Sequence, residues 1–467
     1  MKRYQKSMLQ GPLFANIVTY TIPIILTSLL QLLFNAADLV VVGRFCGSAS
    51  VAAVGATGAI TNLIVNLFIG LSMGVGVTMA HAIGGRDEEG MHRTVHTALP
   101  VALIGGAILT VVGVCFSNTF LRWMNTPAEI LSLSTLYMQI YFCGMIFTMV
   151  YNFCAAILRA AGDTQSPLIF LTIAGVINVL LNLLFVTVFH MNVAGVALAT
   201  VISQGVSAVL VVRALCRRTD HCRLQLKKIR FYRRQLAKIV SQGLPAGIQS
   251  SMFSISNVVI QSAANSFGDV FVAGSSASGN IEGFVYVSMN AFHQTALNFT
   301  GQNVGAGQYK RANKICLTCL ASVAVVGLVL GNLIYGFGPQ LLSIYITDSP
   351  EAIVYGMQKM AYVALPYFLL GLTDVLTGAL RGMGQSLLPM VISVLGICGV
   401  RIAWIYTVFQ IPQYHTAAGL YISYAISWIL TLVALLAAYI TLYSKQIKTL
   451  RIESERFASV ENRDGME

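Results

Sequence analysis

The sequence predicts an all-α integral membrane protein with twelve transmembrane helices, arranged as two six-helix pseudo-twofold repeats. The first observation is composition: of 467 residues, 56% are hydrophobic and only 10% are charged, whereas soluble domains carry about 25% charged residues. The second is a series of apolar runs, each at least as long as the roughly 20 residues that cross a bilayer. The third is an internal repeat that relates the two halves of the chain.

Twelve apolar runs are long enough to span a membrane. We expect no cleavable signal peptide, because the first run is too long for one and lacks a small-residue cleavage site. It should insert as a signal anchor and remain. The predicted spans are 17–42, 55–83, 94–116, 133–157, 167–189, 193–216, 238–263, 273–301, 314–337, 353–379, 387–410 and 416–443.

The distribution of Lys and Arg predicts the orientation of these spans. With a cytoplasmic N-terminus, the inner segments hold 25 of the 29 basic residues, so both termini are expected inside a bacterial inner or plasma membrane. The expected organisation is a cytoplasmic N-terminus (1–16), an N-lobe of helices 1–6 (17–216), a basic linker (217–237), a C-lobe of helices 7–12 (238–443) and a cytoplasmic tail (444–467). The net charge of +12 is thereby explained as a topology signal on anionic lipid, not a nucleic-acid surface.

Short motifs recur 222 residues apart. Leu158-Arg159-Ala160-Ala161-Gly162 matches Leu380-Arg381-Gly382-Met383-Gly384, and Ile22-Pro23 matches Leu244-Pro245. Because each half has an even number of spans, both halves share one orientation, and their pseudo-twofold axis runs along the membrane normal. This arrangement places a cavity between the lobes and suits alternating access.

Asp38 is the only charge in the first apolar run. A carboxylate in hydrocarbon costs roughly 2.5–3.5 kcal/mol on insertion scales, so it usually faces a water-filled cavity, a partner or a bound cation. Asn178 and Asn182 stand four residues apart on one face of the fifth span, and Thr200 lies on the sixth. Such oxygen ligands suit a hard cation, so the four residues could form a proton or cation site if their helices meet; interhelical hydrogen bonding is the competing interpretation.

The other acidic residues inside predicted spans are Glu282 and Asp374, and Arg401 is the one deeply placed cation. Intramembrane charges are functional candidates by default, and we assign these three to a substrate cavity, although Arg401 could simply neutralise Glu282 or Asp374. Asn257 and Gln261 on the seventh span, and Asn35 beside Asp38, are further cavity candidates. Pro23 is a candidate bend, because proline removes a helical hydrogen bond.

Other motifs give no support for catalysis or a structural metal. The nine cysteines lie mostly in apolar runs and read as small buried hydrophobes. His92 and His96 have metal-like spacing but lack the glutamate of a metalloprotease motif. The chain has no P-loop, and Gly70 to Gly74 form a GxxxG, a weak signal that usually indicates close helix packing. We therefore expect no enzyme, no cofactor beyond H⁺ or Na⁺ as coupling ion, and no metal beyond a possible Na⁺ at Asp38.

These motifs, taken together and in order, resemble the multidrug and toxic compound extrusion (MATE) family, and more narrowly its DinF-like bacterial branch. The similarity covers about residues 12–443. It is carried by the following segments: Asn35 to Gly43, Leu158 to Thr164, Asn178 with Asn182, Asn280 to Phe284, Gly301 to Ala306, and Leu380 to Gly384.

The resemblance implies a V-shaped antiporter that exports amphipathic, often cationic drugs and toxins in exchange for H⁺ or Na⁺ and for which a monomer suffices. In that family's pattern Asp38 is the proposed ion site, Asn178 and Thr200 are its partners, and Pro23 is the bend. Two departures matter. Asn182 stands where some relatives have a second aspartate, and the seventh span lacks the glutamate of the NorM branch's sodium scheme.

Two rival functions make different predictions. A lipid-linked oligosaccharide or lipid flippase of the same superfamily should have a groove rich in inward-facing Arg and Lys. A membrane enzyme or receptor should have a catalytic constellation or a soluble sensor domain, and this chain shows neither. The substrate, the coupling ion and the oligomeric state are not encoded in any motif we can identify.

Overall fold

The structure, a computed structural model, describes residues 8–346 and 349–464, with side chains described as far as residue 448. The predicted N-terminal segment (1–16) and tail (444–467) therefore lie partly outside the described residues. Within the described part the chain is all-helical, as predicted. Each of the twelve predicted spans coincides with one long helix or one broken helix, which we label α1 to α12.

The N-lobe consists of α1 to α6. Its helices are α1 (Leu13–Phe45), α2 (Ser48–Gly84), α3 (Glu88–Trp123), α4 (Ala128–Cys143 and Met145–Ala160), α5 (Gln165–Leu183, continued by a π-helical turn at Leu184–Val188) and α6 (Asn192–Cys216). The two parts of α4 meet at Gly144 with a bend of 45°.

The C-lobe repeats this order. It contains α7 (Arg233–Asn265), α8 (Asp269–Gly305), α9 (Tyr309–Gly336), α10 (Pro350–Lys359, a π-helical turn at Met360–Ala364, and Tyr367–Gly382), α11 (Leu387–Ser393, a π-helical turn at Val394–Gly399, and Val400–Tyr406) and α12 (Ala417–Asp464). Nine helical spans of the described chain, or ten with the bent α4, are apolar enough to cross a membrane. The two exceptions, α7 and α8, are rich in Ser, Asn and Gln and face the interior.

The lobes meet backbone to backbone along α2 and α7. A Cβ on Gly70 would lie 2.1 Å from the backbone N of Gly247, and a Cβ on Gly247 would lie 2.2 Å from the backbone O of Leu67. Only glycine permits this approach. Asn66, one turn before Gly70, and Ser250, one turn after Gly247, already line a cavity, so this contact closes the cleft at the end that carries the basic segments.

Two hydrogen bonds cross between the lobes at this closed end. His81 Nε2 on α2 donates to the backbone O of Gly382 at 2.6 Å, and Gln302 Nε2 on α8 donates to the backbone O of Ala160 at 2.6 Å. The donors are 221 residues apart in sequence and the acceptors 222. The pair therefore obeys the internal repeat and ties each lobe to the other by equivalent contacts.

The linker between the lobes lies on the start of α3. The backbone N–H of Gln225 donates to His96 Nε2 at 3.0 Å, and His96 Nδ1 donates to the backbone O of His92 at 2.7 Å. Both ring nitrogens of His96 are thus occupied. The metal-like spacing of His92 and His96 is explained by this docking contact.

Candidate functional site

Asp38 on α1 heads a chain of hydrogen bonds that runs through α5 to α6. Asn182 Nδ2 donates to the Asp38 carboxylate and lies 3.3 Å from Asn178 Oδ1, and Asn178 Nδ2 lies 3.3 Å from Thr200 Oγ1. The structure brings together all four residues of the predicted ion site. Asn182 is fully buried, and no donor in the described chain reaches its Oδ1 atom.

Local packing explains this register. A Cβ on Gly175 would lie 1.8 Å from Cε2 of Phe34, so the missing side chain lets α1 and α5 approach closely. One turn further along both helices, Asp38 faces the Asn178 and Asn182 side of α5. The π-helical turn at Leu184–Val188 follows directly; such turns widen a helix and often occur at functional sites.

The cluster opens into a cavity of about 490 Å³ between the lobes. Its N-lobe wall includes Asn35, as predicted from the sequence, and its opposite wall is formed by Asn290, His293 and Gln294 of α8. Pockets for small organic ligands typically occupy about 300–1,000 Å³. Chemically, the cluster offers a carboxylate and an amide oxygen without a donor, which can take up a proton or coordinate a small hard cation.

Pro23 lies inside α1, which continues as a helix on both sides of it. The carbonyl of Pro23 accepts a hydrogen bond from Thr27 Oγ1 at 2.7 Å. Pro23 is buried, fifteen residues before Asp38, so any bend there would move the Asp38 end of α1 relative to the lobe interface.

A second cavity of about 450 Å³ lies in the C-lobe and contains four of the predicted residues: Asn257, Glu282, Asp374 and Arg401. It shares Asn66 of α2 with the first cavity. Gln261, predicted for the same wall, lies outside both cavities. It is exposed and donates to Asn265 Oδ1 at 3.0 Å. It shares a face of α7 with Asn257 but lies one turn further along the helix.

Glu282 is neutralised by a residue that the sequence did not single out. Lys359 Nζ on α10 lies 3.5 Å from Glu282 Oε2, and Ser278 Oγ donates to Glu282 Oε1 at 2.8 Å. The alternative considered from the sequence, that Arg401 neutralises Glu282 or Asp374, is not what the described residues show. Lys359 lies within the predicted tenth span, 353–379.

Arg401 is 5% exposed and has no carboxylate partner in the described chain. Its Nε donates to Ser427 Oγ at 3.0 Å, and its guanidinium carbon lies 4.0 Å from the ring centre of Tyr424 and 5.5 Å from that of Trp428. The π-helical turn Val394–Gly399 immediately precedes Arg401 on α11.

Asp374 and Arg381 form the remaining polar group of the C-lobe, at the lobe interface. No described residue hydrogen-bonds the Asp374 carboxylate, while its backbone O accepts from His293 Nδ1 at 2.8 Å. Arg381 donates to Gln249 Oε1 at 2.7 Å and is fully enclosed. Sequence reasoning placed Arg381 in an inner loop; its repeat relation to Arg159, which lines the first cavity, was the available signal.

Comparison with known proteins gives a consistent result. The MatE family model matches residues 23–184 and 245–407. The chain is 29% identical over 403 residues to the probable multidrug resistance protein YpnP of Bacillus subtilis (strain 168), covering 86% of this chain and 89% of the relative. It is 20% identical over 378 residues to the multidrug export protein MepA of Staphylococcus aureus, covering 81% of this chain and 83% of that protein.

Among solved structures, the fold is similar to that of a multidrug resistance MATE family transporter of the MOP superfamily in an outward-facing conformation. The TM-score is 0.88 at 21% identity, and the alignment covers 96% of this chain and 99% of the other. A MATE structure in the bent conformation aligns with a TM-score of 0.85 at 22% identity, over 95% of this chain and 98% of that one. At this identity the likeness supports the twelve-helix fold.

Proposed function

This chain belongs to the MatE family of multi-pass membrane transporters, whose model spans both of its lobes, and we propose that it is a secondary active antiporter. It exports amphipathic or cationic drugs and toxins in exchange for H⁺ or Na⁺ by alternating access. Membership of a transporter family also places it outside the enzymes. The names of its relatives support export of multiple drugs.

The single observation that carries the coupling part of this proposal is the Asp38 cluster. Asp38 bonds to an amide whose own oxygen has no donor among the described residues, inside a cavity large enough for a drug. A carboxylate that no basic residue of the described chain neutralises is costly in a membrane. Binding of H⁺ or Na⁺ from outside the cell offsets that cost, whereas a cationic drug competes for the same charge.

Alternating access then requires only that the two ligands prefer different states. In our proposal the state with the lobes closed at the basic end accepts the ion at Asp38. Ion binding reshapes α1, with bending at Pro23, and expels the drug. The opposite state, in which the Gly70–Gly247 contact has separated, admits drug from the cytoplasm.

The remaining parts of the proposal follow from the family and the charge distribution. The protein acts in the bacterial inner or plasma membrane with both termini cytoplasmic. Its partners are small-molecule substrates and the bilayer. It needs no cofactor other than the coupling ion, with Asp38, Asn178, Asn182 and Thr200 as the ion site, and one chain is sufficient for transport.

The test uses purified protein in liposomes loaded with a fluorescent cationic dye. A pH gradient and a sodium gradient are imposed separately on wild type, on Asp38→Asn, and on Glu129→Gln, a carboxylate control on the exposed surface. We expect one gradient to drive dye movement in wild type and in the control but not in Asp38→Asn. The effective gradient identifies the ion.

Gradient-driven transport retained in a folded Asp38→Asn variant would refute the assignment of Asp38. No dye movement in wild type under either gradient would refute drug antiport and favour the flippase alternative. Folding of each variant is checked by its elution as a single species in detergent.

A further inference from the structure

The C-lobe cavity contains a cation that no described residue neutralises. Of the five N–H donors of Arg401, only Nε has a protein acceptor in the described chain, Ser427 Oγ. Within the described chain Arg401 forms no ion pair with Glu282 or Asp374, although both line the same cavity.

The unused donors face the cavity. Among the described residues, Arg381 Nε is a polar atom that is sealed from solvent and lacks a partner, whereas no nitrogen of Arg401 is. Since Arg401 is part of the cavity wall, its unused N–H groups have access to the cavity. Its planar fork is held in place by Tyr424 on one side and Ser427 on another. Such a pre-positioned guanidinium matches the two oxygens of a carboxylate or related anion.

The surroundings define the rest of the ligand. Phe253, Tyr286 and Tyr367 line the same cavity and offer aromatic faces, and the Asp374 carboxylate lacks a hydrogen-bond donor among the described residues. The cavity therefore offers one unpaired positive group, one carboxylate without a donor and an apolar aromatic wall.

From this geometry we infer that the C-lobe cavity is a binding site for zwitterionic aromatic amphiphiles, with the anionic group of the ligand on Arg401. The inference rests on the proposed function only in that such a ligand is an exported substrate. It assigns the anionic group of such a ligand to Arg401 in the C-lobe, apart from the positive charge expected at Asp38.

The test uses two dyes that differ in one group. Rhodamine 110 carries a free carboxylate and is a zwitterion, and rhodamine 123 is its methyl ester and a cation. Binding of each dye to the detergent-purified protein is measured by fluorescence polarisation for wild type, Arg401→Gln, Arg401→Lys and Arg122→Gln, the last being an arginine control on the exposed surface.

We expect Arg401→Gln to weaken rhodamine 110 binding by about tenfold or more, the value of a charge-assisted hydrogen bond, and to change rhodamine 123 binding less than about twofold. Arg401→Lys keeps the charge but not the fork, so its loss should be intermediate. If Arg401→Gln does not fold, a loss in Arg401→Lys confined to rhodamine 110 supports the same conclusion.

Equal losses for both dyes, or no loss for rhodamine 110, would overturn the inference. A lipid phosphate is the other source of an anionic group: if Arg401→Gln copurifies with less phosphatidylglycerol while its rhodamine 110 affinity is unchanged, Arg401 serves a headgroup and the inference is wrong. Charge-selective binding that depends on Arg401 supports it even if no gradient moves either dye, a result that would contradict only the proposed antiport.

Discussion

The two lobes are alike where they touch each other and unlike where they line their cavities. His81 and Gln302 make equivalent bonds to the opposite lobe, and the glycines of α2 and α7 pack reciprocally. In contrast, the N-lobe cluster has one carboxylate and no basic partner among the described residues, whereas the C-lobe has a neutralised Glu282–Lys359 pair and an unpaired Arg401.

This difference indicates a division of labour after duplication. Contacts between the lobes involve both lobes at once, and the two repeats make them in equivalent ways. Ligand contacts act within one lobe, and each cavity is therefore free to have its own charge.

The largest expected difference is between the carboxylates of the two cavities. Asp38→Asn should eliminate gradient-driven dye transport, whereas Glu282→Gln should leave it within about threefold of wild type, because Lys359 already neutralises Glu282. Both variants are compared in the same liposome assay. Equal loss in both would show that the lobes share the coupling role.

Next in size is the effect of adding a methyl group at the lobe contact. Gly70→Ala and Gly247→Ala each place a Cβ against opposing backbone, so both should reduce transport by about tenfold or more. Gly58→Ala on the same helix is the control, because its Cβ would meet nothing within 4 Å. A loss at only one of the two glycines would contradict their equivalence.

The Glu282–Lys359 pair should contribute to stability in a way that no N-lobe pair does. Lys359→Met leaves a buried carboxylate without its cation and should cost about 3 kcal/mol. The apparent unfolding temperature in detergent measures this, and Lys359→Met combined with Glu282→Gln should recover most of the loss. Full stability in Lys359→Met alone would mean that Glu282 carries no charge.

The smallest effect concerns the crossed hydrogen bonds. His81→Leu and Gln302→Leu should each lower stability by about 1 kcal/mol, and by the same amount, because they occupy equivalent positions. Gln308→Leu, an exposed glutamine less than two turns away, is the matched control. Clearly unequal stability losses in the same unfolding assay would show that the two hydrogen bonds at the closed end are not equivalent.

Much of the fold was predictable because it depends on local patterns. Length and hydropathy place the spans, and the repeat relates α7 and α8 to α1 and α2 although they are more polar. The Asp38 cluster was predictable only in part. Asn178 and Asn182 share a helix face by spacing alone, whereas the meeting of α1, α5 and α6 was an expectation that the family resemblance supplied.

The C-lobe site was less predictable because it depends on such crossings. Lys359 reaches Glu282 only because α10 packs on α8. Arg381, in the last turn of α10, is buried where it contacts Gln249 of α7 and Met73 of α2. The π-helical turns at Leu184–Val188 and Val394–Gly399 have no residue signature that periodicity could detect. Gln261 was misplaced by one helical turn, since a polar helix does not reveal where its lining ends.

The backbone contact between α2 and α7 has a consequence for the energy supply of the cell. A membrane maintains a proton or sodium gradient only if it has no open path for ions. An exporter that is briefly open on both sides would let ions leak and dissipate that gradient. Side chains at a seam fluctuate and admit water, whereas two glycine backbones in contact leave no gap to be filled. Substitution of Gly70 or Gly247 should therefore let an imposed ion gradient decay in dye-free liposomes, as a passive ion leak that does not depend on drug transport.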